Sequence, residues 1–137
     1  MSLISNFVAQ IEQQQLWDKK LVLNRKEYLK VKGSTDTNLY YVASGSLRIY
    51  VLEEFEENNI RFGYQNNFIA ALDSFISEKP SDLYIQAIKK TELKVIKKAT
   101  FMAFIDRSTE NTKIWQTMLG DLIYQQMERE RDILTTS

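Results

Sequence analysis

The residues that could perform chemistry in this chain are few, because it contains no histidine and no cysteine. Those absences remove thiol nucleophiles, disulfides, the usual zinc ligands and a histidine general base. Paired carboxylates remain, and the densest acidic run comprises Glu53, Glu54, Glu56 and Glu57. The run lacks the aspartates and glycine of a calcium loop, and a hairpin tip cannot raise a carboxylate pKa by burial. We interpret it as a solvated hairpin loop over residues 53–59, and we expect no catalytic residue and no metal site.

Positive charge is concentrated in three lysine pairs, at positions 19–20, 89–90 and 97–98. The pairs are separated in sequence, and the 18 basic residues of the chain are balanced by 18 acidic ones. A nucleic-acid or membrane-surface binder usually carries a basic excess. We therefore interpret the pairs as solvated strand edges. No apolar run approaches the roughly 18 residues of a membrane span, and residues 1–6 do not resemble a signal peptide. We expect a cytoplasmic protein that does not contact the membrane.

The hydrophobic pattern changes period along the chain and predicts which elements hold these residues. Apolar positions at helical spacing predict a helix at about 3–16, and alternating positions predict strands from about 20 to 97. A short helix follows at about 98–105, and a long one at about 109–134. With 137 residues, 44% of them hydrophobic, the chain is expected to form a single domain, 1–137. The tyrosines could either fill the β-roll or its outer face, or line a ligand pocket; they are Tyr28, Tyr40, Tyr41, Tyr50 and Tyr64.

Four segments of the chain match the sequence pattern of one known family of domains. Leu39–Tyr50, with the sequence LYYVASGSLRIY, resembles the family's LYYIxxGxVRVY core, and Val31–Gly33 lies where the family has a turn. Ala87–Ile96 is similar to its closing strand, and Lys98–Ile105 to the short helix that follows. Together, in this order and spacing, the segments resemble the cyclic-nucleotide-binding domains of CRP/FNR-family transcription regulators. The resemblance implies a mainly β protein with flanking helices: a jelly roll, or double-stranded β-helix, followed by a long dimerisation helix.

The phosphate-binding residues of that family are replaced in this sequence. The resemblance puts its Gly-Glu pair at Ala70–Ala71 and its phosphate-pairing arginine at Ser81. Each lost charge-assisted hydrogen bond is worth about 1.5–3 kcal/mol, so affinity for cAMP or cGMP should fall by several powers of ten. We interpret Asp73 and Lys79 as exposed loop residues, although either could anchor a polar ligand. The expected degenerate pocket comprises Phe68, Ala70, Ala71, Asp73, Ser81 and Tyr84.

The same resemblance assigns a role to the last helix and limits the possible cofactors. Iron–sulfur and haem members of the family use cysteine or histidine ligands, so no cofactor is expected. The family's DNA-reading helix-turn-helix would lie in a C-terminal domain beyond Ser137. We expect a homodimer, with any effector an unidentified small molecule. The expected interface comprises Ile114, Trp115, Met118, Leu119, Leu122, Ile123 and Gln126.

Two other functions fit the same sequence. A stand-alone regulatory subunit could use this fold and act only through its dimer helix. A cupin-like small-molecule-binding protein is disfavoured, because cupin catalysis usually requires a histidine-rich metal site. The leading interpretation is a non-enzymatic effector domain of a CRP/FNR-like regulator that does not bind cAMP tightly.

Overall fold

A computed structural model describes the backbone of residues 3–136 and the side chains of residues 4–124. The described part of the chain forms four helices and eight strands. In chain order they are α1 Leu3–Gln13, β1 Lys19–Leu23, β2 Tyr28–Lys30, β3 Leu39–Ser44, β4 Ser46–Glu53, β5 Glu56–Tyr64, β6 Phe68–Ile69, α2 Leu72–Ser77, β7 Tyr84–Ala87, β8 Thr91–Ile96, α3 Lys98–Ile105 and α4 Thr109–Thr136.

The strands form two antiparallel four-stranded sheets, in the orders β1-β8-β3-β6 and β2-β7-β4-β5. Chain neighbours often lie in different sheets, as in a jelly roll, and the expected fold class is confirmed. Apolar side chains on the facing sides of the sheets form the first core. Its fully buried members include Val42, Leu47, Ile69, Ile85 and Val95.

The helices cover one end of the roll and form a second core. Phe7 of α1 lies edge-on to Phe101 of α3, and Trp115 of α4 lies edge-on to the same ring. Helix α1 ends at Gln13, earlier than the expected residue 16, and Gln15 has a positive φ of 55° that no helix accepts. Within the described residues, no helix is long and apolar enough to cross a membrane.

A tight turn joins β4 to β5, so the prediction of a loop over residues 53–59 is wrong. Glu53 pairs with Glu56 across a turn of two residues, Glu54 and Phe55, whose φ angles are 50° and 71°. Glu57 lies in β5 and accepts a hydrogen bond of 2.9 Å from Nη1 of Arg48. The polar sequence misled the prediction because β5 is an edge strand, and edge strands carry charged side chains in contact with water.

Gly45 has a steric reason to be glycine in the strand motif. Its φ is 97°, and a Cβ atom there would lie 2.4 Å from Oγ1 of Thr91 and 2.5 Å from the carbonyl oxygen of Lys90. The Thr91 hydroxyl accepts a hydrogen bond from the Ser46 backbone N–H and lies within donating distance of the Ser46 carbonyl oxygen. The glycine therefore lets the β3–β4 connection approach Lys90 and the first residue of β8 closely.

Candidate ligand-binding site

The residues predicted to stand in the family's phosphate site lie along a loop that runs from β6 through α2 to β7. Ala70 and Ala71 are buried, and no side chain caps the amino terminus of α2. Ser81 is only 1% exposed, whereas Lys79 is exposed as expected. The structure thus brings the predicted residues 70, 71, 73 and 81 together around one short helix.

Asp73 is half-buried and organises this loop, so its interpretation as an exposed residue is wrong. Its Oδ1 accepts a hydrogen bond of 2.6 Å from the Ser81 hydroxyl and one of 2.8 Å from the Ser74 amide. Its Oδ2 accepts one of 3.2 Å from the Asp82 amide. The Ser81 oxygen also accepts the Leu83 amide at 3.0 Å. A carboxylate of the chain therefore occupies donors that could otherwise meet an anion.

Neighbouring polar groups connect this loop to the β2–β3 segment. The Ser74 hydroxyl accepts the Asp36 amide at 2.9 Å, and Asp36 accepts the Tyr40 hydroxyl at 2.6 Å. Lys30 is only 4% exposed, and its ammonium donates to the carbonyl and hydroxyl oxygens of Ser34. Burial lowers the pKa of Lys30, partly offset by the charges of Asp36 and Asp73. The loop is thus held by partners within the chain.

A small cavity lies between the roll, the α2 loop and α4. A water-sized sphere has about 20 Å³ of room in it, enough for about one water molecule. Ligand pockets for drug-sized molecules usually measure about 300–1,000 Å³, so this cavity is too small for a nucleotide as it stands. Of the predicted pocket residues only Ala70 lines it. The lining residues are Ile49, Ile60, Arg61, Ala70, Leu72, Leu83 and Leu122.

A second cleft of about 150 Å³ shares Arg61 and Leu122 with the small cavity. Its other walls come from α1, the β5–β6 connection and α4. Phe68, predicted for the pocket, lies here and packs on Phe7 and Tyr41. The lining residues are Ile4, Arg61, Asn67, Phe68, Met118, Asp121 and Leu122.

Arg61 points into the roll because of a bulge in β5. Arg61 pairs with Ile49 and Asn59 pairs with Tyr50, so Ile60 is an extra residue without a partner on β4. Residues directly opposite in an antiparallel pair share a face, so Arg61 lies on the inner face with Ile49. Its Nη2 donates a 2.8 Å hydrogen bond to the Phe68 carbonyl, and burial lowers its pKa to about 10. The sequence prediction missed this residue.

Tyr84 is the one predicted pocket residue that the structure places on the opposite face of its sheet. Its ring stacks on that of Tyr50 with centroids 4.9 Å apart, and the Tyr28 hydroxyl lies 2.5 Å from the Tyr50 hydroxyl. The Arg48 guanidinium lies 4.2 Å from the centre of the Tyr50 ring. These tyrosines form an outer aromatic cluster and line neither the small cavity nor the adjoining cleft.

Helix α4 divides the expected dimer residues between two environments. Trp115 and Leu122 are 6% and 8% exposed because they pack against the chain's own body. Ile114, Met118 and Leu119 are half-buried, and Ile123 is 37% exposed. Gln126 lies outside the residues whose side chains are described. The surface available for a partner therefore lies to one side of the predicted set.

Residues 20–108 match the family model of the cyclic nucleotide-binding domain. The chain belongs to this family. The match spans both sheets, the α2 loop and α3, and it confirms the resemblance deduced from the strand motifs. A comparison with curated protein sequences gives no significant match.

Several solved structures with the same fold are CRP/FNR-family transcription regulators. The c-di-GMP-responsive regulator CLP of Xanthomonas campestris superposes with a TM-score of 0.75 and 16% identity over 93% of this domain. The catabolite activator protein of Thermus thermophilus gives 0.72 and 18% over 98%. This chain spans 63% of each of those two proteins. The sensor domain of the regulator DNR from Pseudomonas aeruginosa gives 0.71 and 17%, covering 91% of this chain and 85% of that one.

Proposed function

We propose that this cyclic nucleotide-binding domain is a dimeric, non-enzymatic effector domain that does not use cyclic nucleotides as its ligand. It is the effector domain of a cytoplasmic CRP/FNR-like transcription regulator. In that regulator, a separate C-terminal domain contacts DNA. The observation that carries the proposal is the Asp73 carboxylate, which accepts the hydroxyl of Ser81 at the position where a phosphate-pairing arginine would stand.

Charge and space both support the exclusion of a cyclic nucleotide. A phosphate placed at the α2 loop would meet the negative charge of Asp73 instead of the positive charge of an arginine, and like charges in close contact repel. The donors on Ser74, Ser81 and Asp82 are already paired with that carboxylate. In addition, Leu72, Leu83 and Leu122 leave room for about one water molecule beside the loop.

The dimer rests on a stripe along α4 beside its buried face. Gln116, Leu119, Gly120 and Ile123 follow the spacing i, i+3, i+4 and i+7 of a coiled-coil seam. Gly120 has nothing within 4 Å of where its Cβ would be. Glycine in an exposed helix costs about 1 kcal/mol relative to alanine, and close approach of a second helix at this point gives it a purpose.

Two measurements on the wild-type chain test the proposal. Isothermal calorimetry with cAMP and with cGMP is expected to give no binding in the micromolar range. Sedimentation equilibrium is expected to give a dimer at tens of micromolar. Micromolar nucleotide binding would overturn the choice of ligand class, and a monomer at that concentration would overturn the dimer.

A further inference from the structure

We propose that Arg61 is an anion-binding residue and that the ligand of this domain is a small organic monocarboxylate. The inference rests on the proposed function, because it names the ligand class of the same effector site. It places the ligand's charge on β5, away from the α2 loop. The carboxylate would pair with the Arg61 guanidinium, and a short apolar body would lie in the adjoining cleft.

The first support is a cation held without a counter-ion. Arg61 lies on the inner face of a sheet whose neighbouring residue on that face is Ile49. No carboxylate among residues 4–124 lies within 4 Å of its guanidinium. Its one hydrogen bond within the described side chains goes to the Phe68 carbonyl and uses one of five N–H donors. Arg61 is half-buried, so its charge is partly desolvated. Partial desolvation of an unpaired charge carries a cost, and a ligand carboxylate would supply a bidentate partner.

The second support is the bulge that turns this arginine inward. Regular alternation from Glu57 and Asn59 would direct Arg61 outward, toward water. The unpaired Ile60 reverses that parity, so Arg61 and Gly63 face the core while Phe62 and Tyr64 stack together outside. Bulges of this kind often re-aim a side chain next to a binding site. The backbone bulge therefore places the positive charge of Arg61 on the inner face of the sheet.

The walls around the guanidinium define the rest of the ligand. The cavity and the adjoining cleft have a largely apolar lining, which suits a hydrocarbon body; it includes Ile60, Phe68, Met118 and Leu122. The cleft volume of about 150 Å³ is that of a cavity able to hold a benzene-sized molecule. Asp121, on the rim of the cleft, disfavours a second negative charge. A monoanion of about four to seven carbons meets these requirements.

Calorimetric titration and thermal unfolding with acetate, butyrate, hexanoate and benzoate test the inference. Matched neutral probes are 1-butanol and benzamide, and sodium chloride and inorganic phosphate at equal ionic strength complete the series. We expect saturable binding and a raised melting temperature with butyrate or a larger acid, and neither with the neutral probes or chloride. Phosphate is expected to bind more weakly than the best acid.

Two variants of Arg61 and one control variant test whether Arg61 binds the carboxylate of the acid. Arg61→Gln is expected to weaken the best acid at least tenfold, and Arg61→Lys, which keeps the charge but loses the fork, by a smaller factor. Arg48→Gln removes an arginine from the outer face of the same sheet and is expected to bind as the wild type does. If Arg61→Gln does not fold, the Arg61→Lys comparison decides. No saturable acid binding, equal affinity in the folded Arg61 variants, or a preference for phosphate overturns the inference.

The two proposals fail separately. A dimeric chain that binds neither cyclic nucleotides nor these acids overturns only the monocarboxylate. A chain that binds an acid through Arg61 but sediments as a monomer overturns only the dimer.

Discussion

The hydroxyl of Ser81 donates a hydrogen bond of 2.6 Å to the carboxylate of Asp73. Ser81 is buried and Asp73 is eight residues earlier, so the pair closes the loop between α2 and β7. The Asp73 carboxylate is thus an anion that belongs to the loop itself. The internal carboxylate occupies donors of this loop, and in the proposed function a phosphate would find those donors already paired.

Removing that carboxylate is expected to destabilise the domain. Asp73→Ala leaves the buried Ser81 hydroxyl and the Asp82 amide without their acceptor, which costs about 1–3 kcal/mol. Urea unfolding at neutral pH measures the loss in the free energy of unfolding. Asp82→Ala, which removes an exposed carboxylate next to the same loop, is the control and should change stability by less than about 0.5 kcal/mol. Equal effects of the two variants would show that Asp73 is not structural.

The proposed seam predicts opposite effects of one alanine on folding and on association. Gly120→Ala should stabilise the monomer by about 1 kcal/mol, because it improves an exposed helical position. The added methyl group should at the same time weaken the dimer, because it separates the two helices. Unfolding at submicromolar concentration and sedimentation equilibrium at higher concentration measure the two effects. A variant that is more stable and equally dimeric would remove Gly120 from the seam.

A polar residue on the same stripe tests the seam more strongly. Ile123→Asn should raise the dimer dissociation constant at least tenfold, because it places an amide where apolar surface is buried. Thr117→Asn makes a comparable change on another exposed face of α4 and serves as the control. Sedimentation equilibrium compares the two variants directly. The seam is misplaced if Thr117→Asn dissociates the dimer and Ile123→Asn does not.

The β4–β5 turn stores backbone strain that a sequence change can release. Glu54 and Phe55 both have positive φ, and Phe55 is fully exposed, at 103% of its reference area. Replacing the pair with Asn-Gly, which this turn geometry favours, should stabilise the domain by about 1–2 kcal/mol. Thermal and urea unfolding measure the gain. The pair Gln-Leu, which changes charge and size but keeps the strain, should produce no comparable gain.

Alkaline pH should weaken the fold through its buried tyrosines. Burial raises the pKa of Tyr40, and the Asp36 carboxylate raises it further; burial likewise raises the pKa of Tyr50. The folded-state pKa lies above the unfolded value of about 10. The stabilisation is therefore present below about pH 10 and is lost as pH rises through the folded pKa. In urea unfolding from pH 8 to 11.5, Tyr40→Phe should lose less stability above pH 10 than the wild type.

The strand motifs predict the fold well because their constraints are local. The alternation of Leu47, Ile49 and Val51 follows from the two-residue period of a strand. Gly45 has a positive φ of 97°, a local backbone conformation for which glycine is the usual residue. Such features require no knowledge of the rest of the chain, and the family model covers the same segments.

The site is harder to predict because its residues depend on contacts across the fold. The inward orientation of Arg61 depends on one unpaired residue in β5, Ile60. Regular alternation of the sequence would instead predict that Arg61 faces outward. Tyr84 faces outward because Ile85, its neighbour, fills the core. The role of Asp73 requires Ser81 to return beside it after a turn through Pro80, a distance that spacing alone does not reveal.

Leu122 lines the small cavity, and helix α4 continues well beyond this residue. Its side chain lines both the 20 Å³ cavity and the 150 Å³ cleft, so a ligand in either space would contact this helix. From Leu122 to Thr136 the helix extends about 21 Å at about 1.5 Å per residue. A tilt of about 5° at Leu122 would therefore swing the far end by about 2 Å, the size of displacement by which packed helices shift at subunit interfaces. Under the proposed function, a ligand of a few atoms would thus produce a movement at the end of α4 large enough for an attached DNA-binding domain to detect.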